Sequence, residues 1–315
     1  MDITGTGTAE TADTSLRLML VYAHVADSAC EAAGTAALHV ARGDHVTTVI
    51  CTNGERHHPD LFLATDEAPG RTRETEAVRA SAGDVRGIKQ REAEAVARIV
   101  GVHDLVLLDW PDDHLEITAE RIDQLAAQIL RVRPHIIVTH LPVHARAAVD
   151  PHAHVGQLVL LARDVAASRI RQLDGVAAHH VKEIFYFPMG GEIADSRDPL
   201  CGGIVCDVWI DITAVVATKV RAMDQIVSQG YHGATARKIV ESREGRWGML
   251  AGVSYAEPFL RSSGRTYDSL PMPPRLLAQP FTPNNLPGDQ LLAHRVPLAT
   301  TAAPERGDAS RGGPA

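Results

Sequence analysis

Residues 16–52 read LRLMLVYAHVADSACEAAGTAALHVARGDHVTTVICT, and the fold follows from that stretch. Leu16 to Ala23 is a short apolar run that reads as a buried strand ending at His24. From about Ser28 to Arg42 the chain turns to alanine and other small side chains, a helical composition closed by Gly43. His45 to Thr52 is β-branched and strand-like, and stops at Asn53-Gly54. Strand, helix and strand in this order form a βαβ unit with a parallel pair.

Outward from that unit the alternation continues. Residues 57–83 are polar with scattered Pro and Gly and read as a long loop or insertion. Helices are expected over Ile88–Val100, Ala119–Val132, Val155–Ser168 and Val215–Ser228, and strands over Leu105–Leu108, His135–Thr139, Glu183–Phe187 and Val208–Ile212. The pattern specifies a Rossmann-like three-layer α/β sandwich with a mostly parallel sheet. Residues 1–14 read as a flexible N-terminus, 15–272 as one main domain, and 273–315 as an extended or disordered tail rich in Pro, Ala, Gly and Arg.

Composition narrows the function classes. The chain has 315 residues with 31 Lys and Arg against 39 Asp and Glu, a net charge of −8, so no basic field is available for nucleic acid or an anionic membrane. The start is polar and acidic, unlike a signal peptide, and no apolar run approaches the roughly 18 residues of a membrane span. Cys30, Cys51, Cys201 and Cys206 show no CxxC spacing, which leaves cytoplasmic residence as the expectation. Aromatic residues make up only 4%, which disfavours a sugar-stacking platform and a polysaccharide substrate. A small-molecule substrate is expected, and assembly as a homo-oligomer stays open.

In doubly wound sheets ligands bind beyond the carboxyl ends of the strands. His24, Asn53-Gly54-Glu55, Asp109 to Asp112 and His140 all fall at such ends. His24 and Asp27 are three positions apart where the first strand turns into a helix, so an imidazole and a carboxylate can reach one ion together. A third ligand is sought in Asp150-Pro151-His152-Ala153-His154, just before the helix expected from Val155. Two His and one carboxylate suit zinc, or another divalent metal, and keep one position open for water whose pKa the ion lowers. An isolated HxxD also arises by chance, and a His at a helix start is commonly only a surface residue.

Taken together, Ala23-His24-Val25-Ala26-Asp27, Ala33-Gly34, Leu38-His39, Thr52-Asn53-Gly54-Glu55-Arg56, Glu92 ahead of Gly101-Val102, Leu108 to Asp112, and Pro151-His152 before Gly156 resemble the LmbE-like (PIG-L) superfamily of zinc-dependent deacetylases. Asp211-Ile212-Thr213, Lys219, Ser228-Gln229 and Tyr255-Ala256-Glu257 resemble its closing segments, so the resemblance spans about residues 16–260. It implies an LmbE-like catalytic domain with zinc on His24, Asp27 and His152; His154 is the alternative third ligand, which the Gly156 register disfavours. The family's general base falls at Ala26 and a histidine associated with the oxyanion at Val149, and losing such a base costs roughly 10²- to 10⁴-fold in rate.

Glu55 is the replacement base this reading favours; the plainer alternative is an ion pair with Arg56 or another arginine. His140 would serve as acid or oxyanion partner, or be a hydrogen-bonded structural histidine. Arg56 and Asp112 are candidate substrate contacts, though Arg56 also reads as a solvated charge and Asp112 as a turn residue. The superfamily's 4-oxalomesaconate hydratases also lack the base and carry Gly-Glu-Arg after the second strand, as Gly54-Glu55-Arg56 does here, but Met189 stands where that branch has a histidine. The expectation is therefore hydrolysis of an amide or related C–N bond, with hydration of an unsaturated oxo-acid close behind and a catalytically impaired metal-binding protein third.

Overall fold

The computed structural model describes residues 15–55, 82–112, 114–143, 150–170, 173–188, 206–272 and 274–278. The expected loop over 57–83 and the flexible N-terminus over 1–14 fall largely or wholly outside these residues. So do Arg56, Val149 and Met189. Of the expected tail, only a short helix is described.

In chain order the elements are β1 (Arg17–Tyr22), α1 (Val25–Cys30), α2 (Ala33–Ala41), β2 (His45–Thr52), α3 (Ala82–Val100), β3 (Asp104–Trp110), α4 (Ala119–Val132), β4 (Ile136–His140) and α5 (Pro151–Ala167). There follow β5 (Glu183–Phe187), β6 (Val208–Asp211), α6 (Val216–Met223), α7 (Ala234–Ala251), β7 (Ala256–Arg261) and α8 (Pro274–Ala278). The sheet runs β3-β2-β1-β4-β5-β7-β6. β1 to β5 pair in parallel, with Arg17 opposite His45 and Leu18 opposite Ile136, whereas β7 is antiparallel to both β5 and β6.

Strand periodicity explains the three layers. Leu18, Leu20 and Tyr22 face one side and pack with α1, α2, α3, α6 and α7. Met19, Val21 and Ala23 face the other and pack with α4 and α5. β1 is thus buried on both faces, which is why it reads as a continuous apolar run. Its neighbours are β2 on one side and β4 on the other, so the strand order reverses there and a crevice opens beyond the carboxyl ends of β1 and β4. Among the described residues no helix is long and apolar enough to cross a membrane.

Four departures from the sequence expectation affect the site. The first helix is two helices, broken between Cys30 and Ala33, because the Gly34 and Thr35 N–H groups donate to the Glu257 carboxylate at 2.9 and 2.7 Å. α3 begins at Ala82 rather than Ile88. α5 begins at Pro151, which moves His152 from the loop into the first helical turn. α7 and β7 were not expected as elements. α7 is highly charged along its length, and β7 contains Pro258, so neither gives a clean periodic signal.

Candidate metal centre

His24 leaves the end of β1 and opens α1, almost completely buried at 1% exposure. Asp27 sits in the first turn of α1 and reaches back, its Oδ2 accepting the His24 N–H at 2.8 Å. Across the crevice, Asp150 caps α5: its Oδ1 accepts the His152 N–H at 2.7 Å, and Pro151 takes the first helical position. The cap fixes the first turn of α5 and so the place of His152.

Three donor atoms then converge. His24 Nδ1 lies 3.1 Å from His152 Nε2, and Asp27 Oδ2 lies 3.6 Å from the first and 3.7 Å from the second. Atoms bonded at about 2.1 Å to a tetrahedral ion stand roughly 3.4 Å apart, so this triangle has the dimensions of one face of such a site. The remaining ring nitrogens are also engaged. His24 Nε2 lies 2.9 Å from Asp112 Oδ1, and His152 Nδ1 lies 2.8 Å from Asp150 Oδ1. A carboxylate behind each imidazole keeps its proton on the outer nitrogen and turns the lone pair of the inner one toward the triangle.

Charge agrees with geometry. Asp27, Asp112 and Asp150 surround two imidazoles in a nearly dry pocket, an arrangement that calls for positive charge. Burial alone would lower the His152 pKa, but Asp27 and Asp150 outweigh it and push it up to about 10. Asp27 is held well below the usual carboxylate range: burial opposes this, but His152, His140 and His24 prevail. His24, Asp27 and His152 thus form a group that fits a divalent cation.

The other expected residues are placed differently. His140 is fully buried, and its Nε2 accepts the Ala23 N–H at 2.9 Å while lying 3.3 Å from Asp27 Oδ2. Burial pushes its pKa down to about 4, so the ring is neutral with its proton on Nδ1. A neutral ring with Nε2 already accepting has no proton to offer on that side, and through this contact His140 props the end of β1. Glu55 is half-exposed, with its carboxylate 3.6 Å from Arg86 Nε, the ion pair that was its plainer alternative. Asp112 is buried behind His24, its Oδ1 engaged by that ring and closed off from solvent. His154 Nδ1 bonds the Leu115 carbonyl at 2.7 Å, so His152 alone of that pair joins the triangle.

Sequence reasoning passed over Asp150, although Asp-Pro at a helix start is the signal of a cap that could have marked it. It also passed over Gly156, one turn along α5, as more than a register mark. A Cβ there would stand 2.4 Å from the His140 carbonyl oxygen and 3.0 Å from Pro142. Gly156→Ala is therefore expected to destabilise the fold by about 1–3 kcal/mol or more, read as a lower denaturant midpoint with unchanged slope. Asp112→Asn and Asp150→Asn are each expected to weaken zinc binding about 10- to 100-fold in competition with a chelating dye.

Residues 19–163 match the family model described as PIG-L, GlcNAc-PI de-N-acetylase. A relative from Mycolicibacterium gilvum, a 1D-myo-inositol 2-acetamido-2-deoxy-alpha-D-glucopyranoside deacetylase, is 26% identical over 243 residues, covering 69% of this chain and 76% of its own. Among solved structures, the 4-carboxy-2-hydroxymuconate hydratase of Pseudomonas putida KT2440 superposes with a TM-score of 0.65 at 21% identity, covering 81% of this chain and 99% of its own. The N,N'-diacetylchitobiose deacetylase of Pyrococcus horikoshii gives 0.61 at 18% identity, covering 78% and 84%. At these identities the solved structures speak for the fold alone, and they share it across deacetylase and hydratase.

Proposed function

We propose, for a chain that carries a PIG-L (LmbE-like) domain and is an enzyme of that type, metal-dependent hydrolysis of an amide or related C–N bond, of the N-acyl kind, in a small polar substrate. The observation that carries this reading is the triangle of His24 Nδ1, Asp27 Oδ2 and His152 Nε2, with edges of 3.1, 3.6 and 3.7 Å. A divalent ion of the zinc type held there would supply Lewis-acid activation of water and of a substrate carbonyl. Asp112 and Asp150 hold the two imidazoles in the tautomer that points a lone pair inward. His140 anchors the end of β1 beside Asp27.

Ala26 belongs to the apolar core, so no side chain at that position takes a proton. In this reading the acceptor is Glu55, drawn from its pairing with Arg86 when substrate enters. Acetate or amine release from an N-acyl panel by the zinc-loaded protein tests the proposal. Glu55→Gln should lower the rate roughly 10²- to 10⁴-fold with metal content unchanged. Full activity in that variant would remove Glu55 from the role.

Ala26 also favours a second reading, addition of water to the double bond of an unsaturated oxo-dicarboxylic acid. Loss of enone absorbance without release of amine from N-acyl compounds would establish it in place of hydrolysis. Metal binding with neither activity would instead mark a binding protein.

A further inference from the structure

A cleft of about 250 Å³ opens beside the candidate metal centre, lined among others by Val25, Asn53, Arg86 and Lys89. Val25 lies between His24 and Asp27 in sequence, so the cleft and the centre share the start of α1. Its two cations are not equivalent. Arg86 is half-exposed and already balanced, its Nε 2.9 Å from Asp109 and 3.6 Å from Glu55.

Lys89 is 2% exposed, and among the described residues its ammonium makes one hydrogen bond, to Ser228 Oγ at 2.8 Å. The nearest paired carboxylate, Glu92, is 4.0 Å away and is served by the Ser228 N–H and O–H at 2.6 and 2.8 Å. An ammonium carries three donors, and burying it with one partner is costly. Burial pushes its pKa down to about 8, against the opposing pull of Glu92, Asp112 and Asp27.

Asn53 stands on the same wall, since the Lys89 stem lies against the neighbouring Gly54. It is 6% exposed, and its Oδ1 accepts the Glu55 N–H at 3.1 Å, which fixes the amide orientation. Its Nδ2 has no partner among the described residues. A buried ammonium short of acceptors and a buried amide donor without one therefore adjoin a single cleft.

We propose that this cleft is a carboxylate subsite, in which Lys89 Nζ and Asn53 Nδ2 hold a carboxylate of the substrate. The assignment to substrate rests on the reaction occurring at His24, Asp27 and His152; the anion site itself does not. One ammonium and one amide donor fit a single carboxylate group, and the charges of Asp27 and Asp112, close enough to act on Lys89, disfavour the denser charge of a phosphate.

The test is titration calorimetry of the full chain with succinate, its neutral analogue succinamide and inorganic phosphate, both zinc-loaded and chelator-treated. Succinate is expected to bind both forms and succinamide neither. Lys89→Met should weaken succinate about 10- to 100-fold, as expected for loss of a charge-assisted hydrogen bond, while Lys89→Arg retains binding. Asn53→Asp, which leaves the lysine in place, should abolish it, so the result does not depend on the methionine variant folding.

Succinate binding only to the zinc-loaded form, unchanged binding in Asn53→Asp, tighter binding of phosphate, or no binding to wild type would each overturn the subsite. His152→Ala separates the two proposals. Lost activity with retained succinate binding is expected if both hold, and retained activity there defeats the metal reading without touching the subsite.

Discussion

Replacing His152 with alanine is expected to leave a folded protein that holds no zinc and has no activity above background. The wild type should carry about one ion per chain, because three donors at tetrahedral spacing make a site and two do not. Removing His152 deletes one vertex of the triangle and leaves Asp150 capping α5 through the backbone N–H alone. His24→Ala and Asp27→Ala should behave alike. His154→Ala should keep its metal, since that ring is committed to the Leu115 carbonyl. Metal analysis after dialysis reads the stoichiometry, and thermal melts add an independent measure. An ion that binds only the native state stabilises it by about 2.7 kcal/mol at a hundredfold excess over Kd. A chelator should therefore lower the Tm of wild type and of His154→Ala and leave the three ligand variants unmoved. Equal metal in wild type and all three ligand variants would end the zinc reading.

How much of this was legible in the chain depended on how far apart the cooperating residues lie. β1 and β2 could be read because burial on both faces of a central strand leaves an uninterrupted apolar run. The ends of β1 and β4 could be read because the doubly wound pattern assigns the crevice to them. The break between α1 and α2 could not, since nothing local ends a helix in an alanine-rich stretch. The cause is Glu257, 222 to 223 positions away, whose carboxylate meets the N–H groups of Gly34 and Thr35.

Roles within the site were harder still. Asp112 reads in sequence as a turn residue and Asp150 draws no role of its own there, and only the folded chain sets each behind an imidazole. His140 sits at the expected strand end, but the Ala23 amide occupying its Nε2 is a contact across 117 positions. Nothing in the sequence sets Lys89 apart from the other charged residues of α3. Its chemistry comes from being buried against Gly54 and Ser228.

The largest loss of stability is expected from Lys219→Met. Lys219 and Glu257 are both fully buried, with Nζ 2.5 Å from Glu257 Oε1 and 2.9 Å from Glu244 Oε1. The same ammonium donates to the Cys30 carbonyl at the end of α1, and Arg243 pairs with Glu244 and Glu31 and reaches that carbonyl as well. Glu257 in turn caps α2. The cluster therefore ties β7, α6 and α7 to the joint behind the helix that carries Asp27. Methionine fills the volume of the lysine stem and removes the ammonium with its hydrogen bonds to Cys30 and Glu257. That leaves Glu257 buried without a cation, and the expected cost is about 3–5 kcal/mol, a large part of the 5–15 kcal/mol typical of a domain.

The pH dependence of that cost follows from the partners. Burial alone would lower the Lys219 pKa and raise that of Glu244, but their attraction to opposite charges prevails, holding Lys219 above its ordinary value and Glu244 below. The stabilisation is then full between about pH 4.3 and 10.4, the ordinary values. It fades only as acid protonates Glu244 through its lowered pKa, or as base deprotonates Lys219 through its raised one. Denaturant titrations of wild type and Lys219→Met should show the gap between them closing as the pH leaves that window at either end. Adding Glu257→Gln to Lys219→Met should recover part of the loss, because the neutral amide still accepts from α2 and no longer strands a charge. A double variant no more stable than Lys219→Met would mean that packing, not the unpaired carboxylate, sets the cost.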